Sequence, residues 1–144
     1  MTLKIAIAAD HGGYRYKQAI IEKFSNIEWL DLGTDNSESV DYPDYAHEMA
    51  ERIRGGEVTT GILVCGTGIG ISIAANRHPE IRAALCTNTT MARLTRAHND
   101  ANVLALGERV IGIETAFDII ETFLNTDFEG GRHERRVNKI NMPT

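Results

Sequence analysis

Five short apolar runs recur along the chain, at residues 3–9, 27–32, 61–64, 81–86 and 102–106. Their length and near-continuous apolar character predict parallel strands covered on both faces. The stretches between them carry apolar residues at helical spacing. Tyr16, Ile20 and Phe24, with Ile21 beside them, form one such face. Ala46, Met49, Ala50 and Ile53 form a second, and Ile113, Ala116, Phe117, Ile120, Phe123 and Leu124 a third. Asp41 or Tyr42 as the cap, with Pro43 in the first turn, predicts the start of the second helix, and Gly55-Gly56 its end. Ile71 to Asn76 continues as a helix after a glycine loop. Thr87 or Asn88 predicts the cap of a further helix that runs to about His98.

Strand and helix alternate five times, which predicts an α/β fold. The expected architecture is an open five-stranded parallel sheet with helices on both faces, Rossmann-like or flavodoxin-like, plus a C-terminal helix. We expect strand order 2-1-3-4-5, one of the common doubly wound orders. The 144 residues show no internal repeat or linker, so residues 1–144 are expected to form one domain. Ligands in such sheets bind beyond the carboxyl ends of the strands, where the order reverses. Here that point lies between strands one and three. Asp10-His11 ends the first strand and Cys65-Gly66-Thr67 ends the third, so two chemically unusual clusters meet although they are distant in sequence.

Composition narrows the partners. Hydrophobic residues make up 42% and charged residues 24%, as in soluble globular proteins. A net charge of −5 argues against general nucleic-acid binding, which favours a basic surface. No apolar run is long enough to span a bilayer, and no signal-peptide pattern opens the chain. Two cysteines, Cys65 and Cys86, make no disulfide framework, which points to a reducing cytoplasm.

The chemistry concentrates in Cys65-Gly66-Thr67-Gly68-Ile69-Gly70. A strand, a glycine loop and a helix start point backbone N–H groups at one place, which suits a phosphate or an enolate oxygen. The same setting favours the thiolate form of Cys65. A P-loop would require Gly-Lys-Ser/Thr, a dinucleotide fingerprint would require G-x-G-x-x-G after the first strand, and a C-x5-R phosphatase would require Arg where Ile71 stands. No cysteine and histidine spacing suggests zinc, and no metal or other cofactor is expected. Arg132 and Arg136 lie at i, i+4 in the basic segment after Gly130-Gly131, either as a solvated face or as a phosphate site. His98 ends a helix, at the rim opposite the cysteine. It is either a surface histidine or a group that reaches the site of a second subunit.

Seven stretches in order resemble the ribose-5-phosphate and galactose-6-phosphate isomerase family. They are Ala9-Asp10-His11-Gly12-Gly13, Asp41-Tyr42-Pro43, residues 65–70, residues 72–76, Ala97-His98-Asn99-Asp100, residues 101–104 and Gly130-Gly131-Arg132-His133. The resemblance implies a metal-independent aldose–ketose isomerase of the pentose phosphate pathway, interconverting ribose 5-phosphate and ribulose 5-phosphate through an enediolate. It implies that Cys65 moves a proton between C1 and C2. Thr67 and the amides of Gly66, Gly68, Ile69 and Gly70 would hold the enediolate oxygens. Asp10 and His98 would open the sugar ring, and Tyr42 and Asn99 would contact the sugar. His11, Arg109, Arg132 and Arg136 would bind phosphate. A family branch without the cysteine carries glutamate where Ile71 stands, so this chain resembles the cysteine branch. Allose 6-phosphate or galactose 6-phosphate is the alternative substrate. A nucleotide- or flavin-binding module is the non-enzymatic one. The nearly all-apolar helix after the loop and the position of His98 together predict a homodimer with shared sites. Pairing of dimers into tetramers stays open.

Overall fold

The computed structural model describes residues 3–143. Five parallel strands, β1 (Lys4–Ala9), β2 (Glu28–Asp31), β3 (Gly61–Cys65), β4 (Ala83–Leu85) and β5 (Val103–Gly107), form a single sheet. The helices are α1 (Tyr14–Lys23), α2 (Tyr42–Arg54), α3 (Ile69–Ala75), α4 (Thr89–Asn99), α5 (Ile113–Leu124) and α6 (Arg132–Val137). Asp41 and Asn88 stand at the starts of α2 and α4, and the Asn88 carboxamide accepts the Met91 N–H at 2.9 Å.

The sheet order is β2-β1-β3-β5-β4, not the 2-1-3-4-5 expected from the sequence. β5 takes the inner place and β4 the edge. All five β5 residues are buried, whereas the three of β4 are only partly so. The end of β5 also packs tightly on the glycine loop. A Cβ at Gly107 would lie 2.4 Å from the Thr67 carbonyl oxygen, and one at Gly68 would lie 2.9 Å from the Leu106 carbonyl carbon. Glycine at both positions is what lets β5 lie beside β3. The exposed side of β4 is partly closed by Asn76, whose side chain donates to the Ala83 carbonyl (2.9 Å) and accepts the Ala83 N–H (2.7 Å).

This order decides which helix covers which face. Right-handed crossovers put α3, which leads outward to β4, and α4, which returns inward to β5, on opposite sides. One core accordingly joins Ile5 and Ile7 of β1 to Ile20 of α1, Ala92 of α4 and Ala116, Ile119 and Ile120 of α5. The other joins Ala6 and Ala8 to Ala46 and Met49 of α2 and Ile71 and Ala75 of α3. Alternation along β1 assigns successive residues to the two cores.

Candidate active site

The carboxyl ends of β1, β3 and β5 meet around the glycine loop. The Asp10 carboxylate accepts the Gly12 N–H at 2.9 Å and is itself buried, which holds the turn after β1 closed. That turn abuts the loop, since a Cβ on Gly12 would lie 3.1 Å from the Gly66 nitrogen. The backbone after β5 is tied on the other side, where the Glu108 N–H donates to the Cys65 carbonyl (3.0 Å) and the Arg109 N–H to the Gly66 carbonyl (2.9 Å). This pairing brings the Arg109 side chain over Gly66, with its Nε 3.6 Å from where a Gly66 Cβ would stand.

Within the loop, the Gly68 N–H donates to Cys65 Sγ at 3.1 Å, in buried surroundings. The Ile69 N–H donates to Thr67 Oγ1 at 3.1 Å. Two of the amides expected to face an oxyanion therefore orient the thiol and the hydroxyl instead. The amides of Gly70 and Ile71, in the first turn of α3, have no acceptor among the described residues. Tyr42, at the start of α2, lies directly over Gly70, where a Cβ would come within 2.7 Å of its ring. His11 is exposed, and its Nδ1 accepts the Val40 N–H at 3.2 Å. That bond leaves the His11 proton on Nε2 in the neutral ring.

Asp10, His11, Tyr42, residues 65–70 and Arg109 thus share one rim. His98, Asn99, Arg132 and Arg136 do not join them. α4 runs back along the sheet, so its last turn lies at the amino rim, where the Asn99 carbonyl accepts from Arg82 Nε at 3.1 Å just before β4. α6 packs beside that end of α4, and the His98 and His133 rings stack with centroids 4.2 Å apart and planes 13° apart. Burial lowers the His133 pKa from the usual imidazole value, and the positive charge available to His98 and Arg132 lowers it further. Cys86 lies in the core, and burial pushes its thiol up to about 11.

Sequence reading missed Glu108. Its carboxylate accepts the Tyr16 N–H at 2.9 Å and approaches Arg15 Nε at 3.4 Å. It caps the start of α1 from across the sheet, a task that no side chain local to α1 performs. No local signal could show it, because the partners lie 92 residues apart.

A thiol, an imidazole and a carboxylate gathered at the switch point of a doubly wound sheet define a ligand-binding α/β enzyme. A Ribose/Galactose Isomerase family model matches residues 5–140, and the chain belongs to that family. A putative sugar phosphate isomerase of Bacillus subtilis is 52% identical over 141 residues, covering 96% of this chain and 95% of its own. Ribose-5-phosphate isomerase B of Escherichia coli is 49% identical over 139 residues, covering 95% and 93%. The crystal structure of a ribose 5-phosphate isomerase from Thermotoga maritima superposes with a TM-score of 0.96 at 52% identity, covering 99% of this chain and 100% of that one. The chain is an isomerase with the same α/β fold.

Proposed function

We propose that the enzyme interconverts D-ribose 5-phosphate and D-ribulose 5-phosphate by proton transfer through an enediolate, in the non-oxidative pentose phosphate pathway. Cys65 removes the C2 proton of the open-chain aldose and returns it to C1, while the O2 hydroxyl proton passes to O1. Thr67 and the unpaired amides of the loop hold the enediolate oxygens. Asp10 and His98 open the ring, Tyr42 and Asn99 contact the sugar, and His11, Arg109, Arg132 and Arg136 bind the phosphate. The observation that carries this reading is the loop amide of Gly68 aimed at Cys65 Sγ (3.1 Å), which holds the sulfur in one orientation at the mouth of the glycine loop.

The site is proposed to be shared in a homodimer. Its two residue groups lie at opposite rims of one chain, and on this reading a second copy supplies His98, Asn99, Arg132 and Arg136. The α3 surface supports this, since Ile69 and Ile73, one turn apart, are 50% and 61% exposed. No helix among the described residues is long and apolar enough to cross a membrane, which agrees with a proposed cytoplasmic location.

The test is isomerisation of ribose 5-phosphate by purified enzyme, with allose 6-phosphate and galactose 6-phosphate compared by kcat/KM. The five-carbon substrate should be preferred, and a chelator should leave the rate unchanged. Loss of a proton-transfer group costs about 10²–10⁴-fold, and Cys65→Ala should fall by that much. A folded Cys65→Ala enzyme with full activity would refute the assignment of the base.

A further inference from the structure

Three ligand-type side chains meet at the end of α4. One donor atom from each of His98, Glu129 and His133 lies within 4.8 Å of the other two. His133 Nε2 is 3.5 Å from Glu129 Oε1. The two imidazoles are nearly parallel and stacked, so each ring must turn out of the stack about its side-chain torsions for one nitrogen of each to face a common point.

The backbone that carries these groups is fixed. The Glu129 N–H donates to the carbonyl of Ala97, the neighbour of His98, at 3.0 Å, and the His133 N–H donates to the Gly130 carbonyl at 3.1 Å. The His133 side chain is only 12% exposed, whereas that of Glu129 is 60% exposed. The arrangement is therefore walled on the protein side and open toward solvent. Nothing in local sequence spacing announces it, because His98 lies thirty-one positions before Glu129.

We propose that His98, Glu129 and His133 form a zinc-binding site, of two imidazoles and one carboxylate, that holds the enzyme inactive while it is occupied. Zinc bonds of about 2.0–2.1 Å place tetrahedral ligands about 3.3 Å apart. Closing the present spacing to that value requires the His98 and His133 rings to leave their stack, a rearrangement that zinc binding would drive. The fourth position faces solvent and takes water. Two imidazole nitrogens with one carboxylate suit zinc, whereas magnesium favours oxygen ligands. The inhibitory effect rests on the role proposed above for His98, because a ring nitrogen bound to zinc can neither give nor take a proton. The cation is thus a brake on an enzyme whose chemistry needs no metal.

Zinc binding is measured by calorimetry on a Cys65→Ser background, which removes the thiol as a competing ligand. One zinc ion per chain is expected, with magnesium giving no heat. His133→Gln and Glu129→Gln on that background should each weaken binding at least tenfold. Absence of zinc binding, or binding unchanged by both substitutions, overturns the site and leaves the role of His98 standing. In enzyme that retains Cys65, zinc should suppress turnover and a chelator should restore it. Glu129→Gln, outside the proposed catalytic groups, should keep its basal rate and need at least tenfold more zinc for the same inhibition. Full turnover with the site filled overturns the inhibitory effect and, with it, the assignment of His98.

Discussion

The two cysteines occupy different chemical situations. Cys65 receives the Gly68 N–H at the end of β3, while Cys86 lies among Ala92, Leu104 and other apolar residues of the core. Burial raises the Cys86 thiol from its ordinary 9.0 to about 11. Between those values the unfolded chain loses this proton and the folded chain keeps it. Folding stability therefore falls as pH rises from about 9 to about 11, by on the order of 2 kcal/mol for this group. Thermal melts across that range should show the loss. Cys86→Ala should be less stable near neutral pH but lose less on the alkaline side, so the two curves converge. Parallel curves would remove Cys86 as the cause. At this scale the sequence announced Cys65, Asp10 and His11 because unusual residues end apolar strands. It could not announce the Val40 N–H that fixes His11 or the Glu108 cap of α1, since both are set by distant chain segments.

Among the elements, the strands and helices were legible because continuous apolar runs and one-sided stripes mark burial directly. Their pairing was less so. β4 and β5 both read as buried strands, and only the contact of Gly107 with Thr67 and of Gly68 with Leu106 shows which lies beside β3. The glycine loop is thus a packing element as well as a site. Gly68 has φ +79°, and a Cβ there would stand 2.5 Å from Leu85 Cδ1 as well as close to the Leu106 backbone. Left-handed strain of about 1–2 kcal/mol and overpacking of about 1–3 kcal/mol together predict that Gly68→Ala destabilises by about 2–5 kcal/mol. A shift in the urea midpoint measures this, and an unchanged midpoint would mean that the loop can open away from β5. Isomerisation should fall as well, because the N–H that meets Cys65 belongs to the displaced residue.

The whole molecule divides the proposed catalytic groups between its two rims. The sequence already hinted at this, because α4 must return to the amino rim before β5 begins, whatever the order of the sheet. On the shared-site reading, Cys65→Ser and His98→Asn are each inactive alone but complementary when mixed. Random pairing makes half the dimers mixed, and each mixed dimer has one intact site of two, so about a quarter of wild-type activity should return. Co-expression followed by assay measures it, and no recovery would place both groups in one subunit's site.

The Asn76 clamp on Ala83 matters for copies of this chain that meet by chance. The inward hydrogen bonds of β4 use the Arg82 carbonyl and the Cys86 N–H, so Ala83 and Leu85 present their polar backbone outward. An unsealed border of that kind invites a foreign strand to add to the sheet and seed aggregates. The asparagine side chain occupies both outward groups of Ala83, as a neighbouring strand would. Only the single outward pair of Leu85 is left, too short a stretch to template another chain. One carboxamide thus acts as a solubility guard on β4, one of the two edge strands of the sheet.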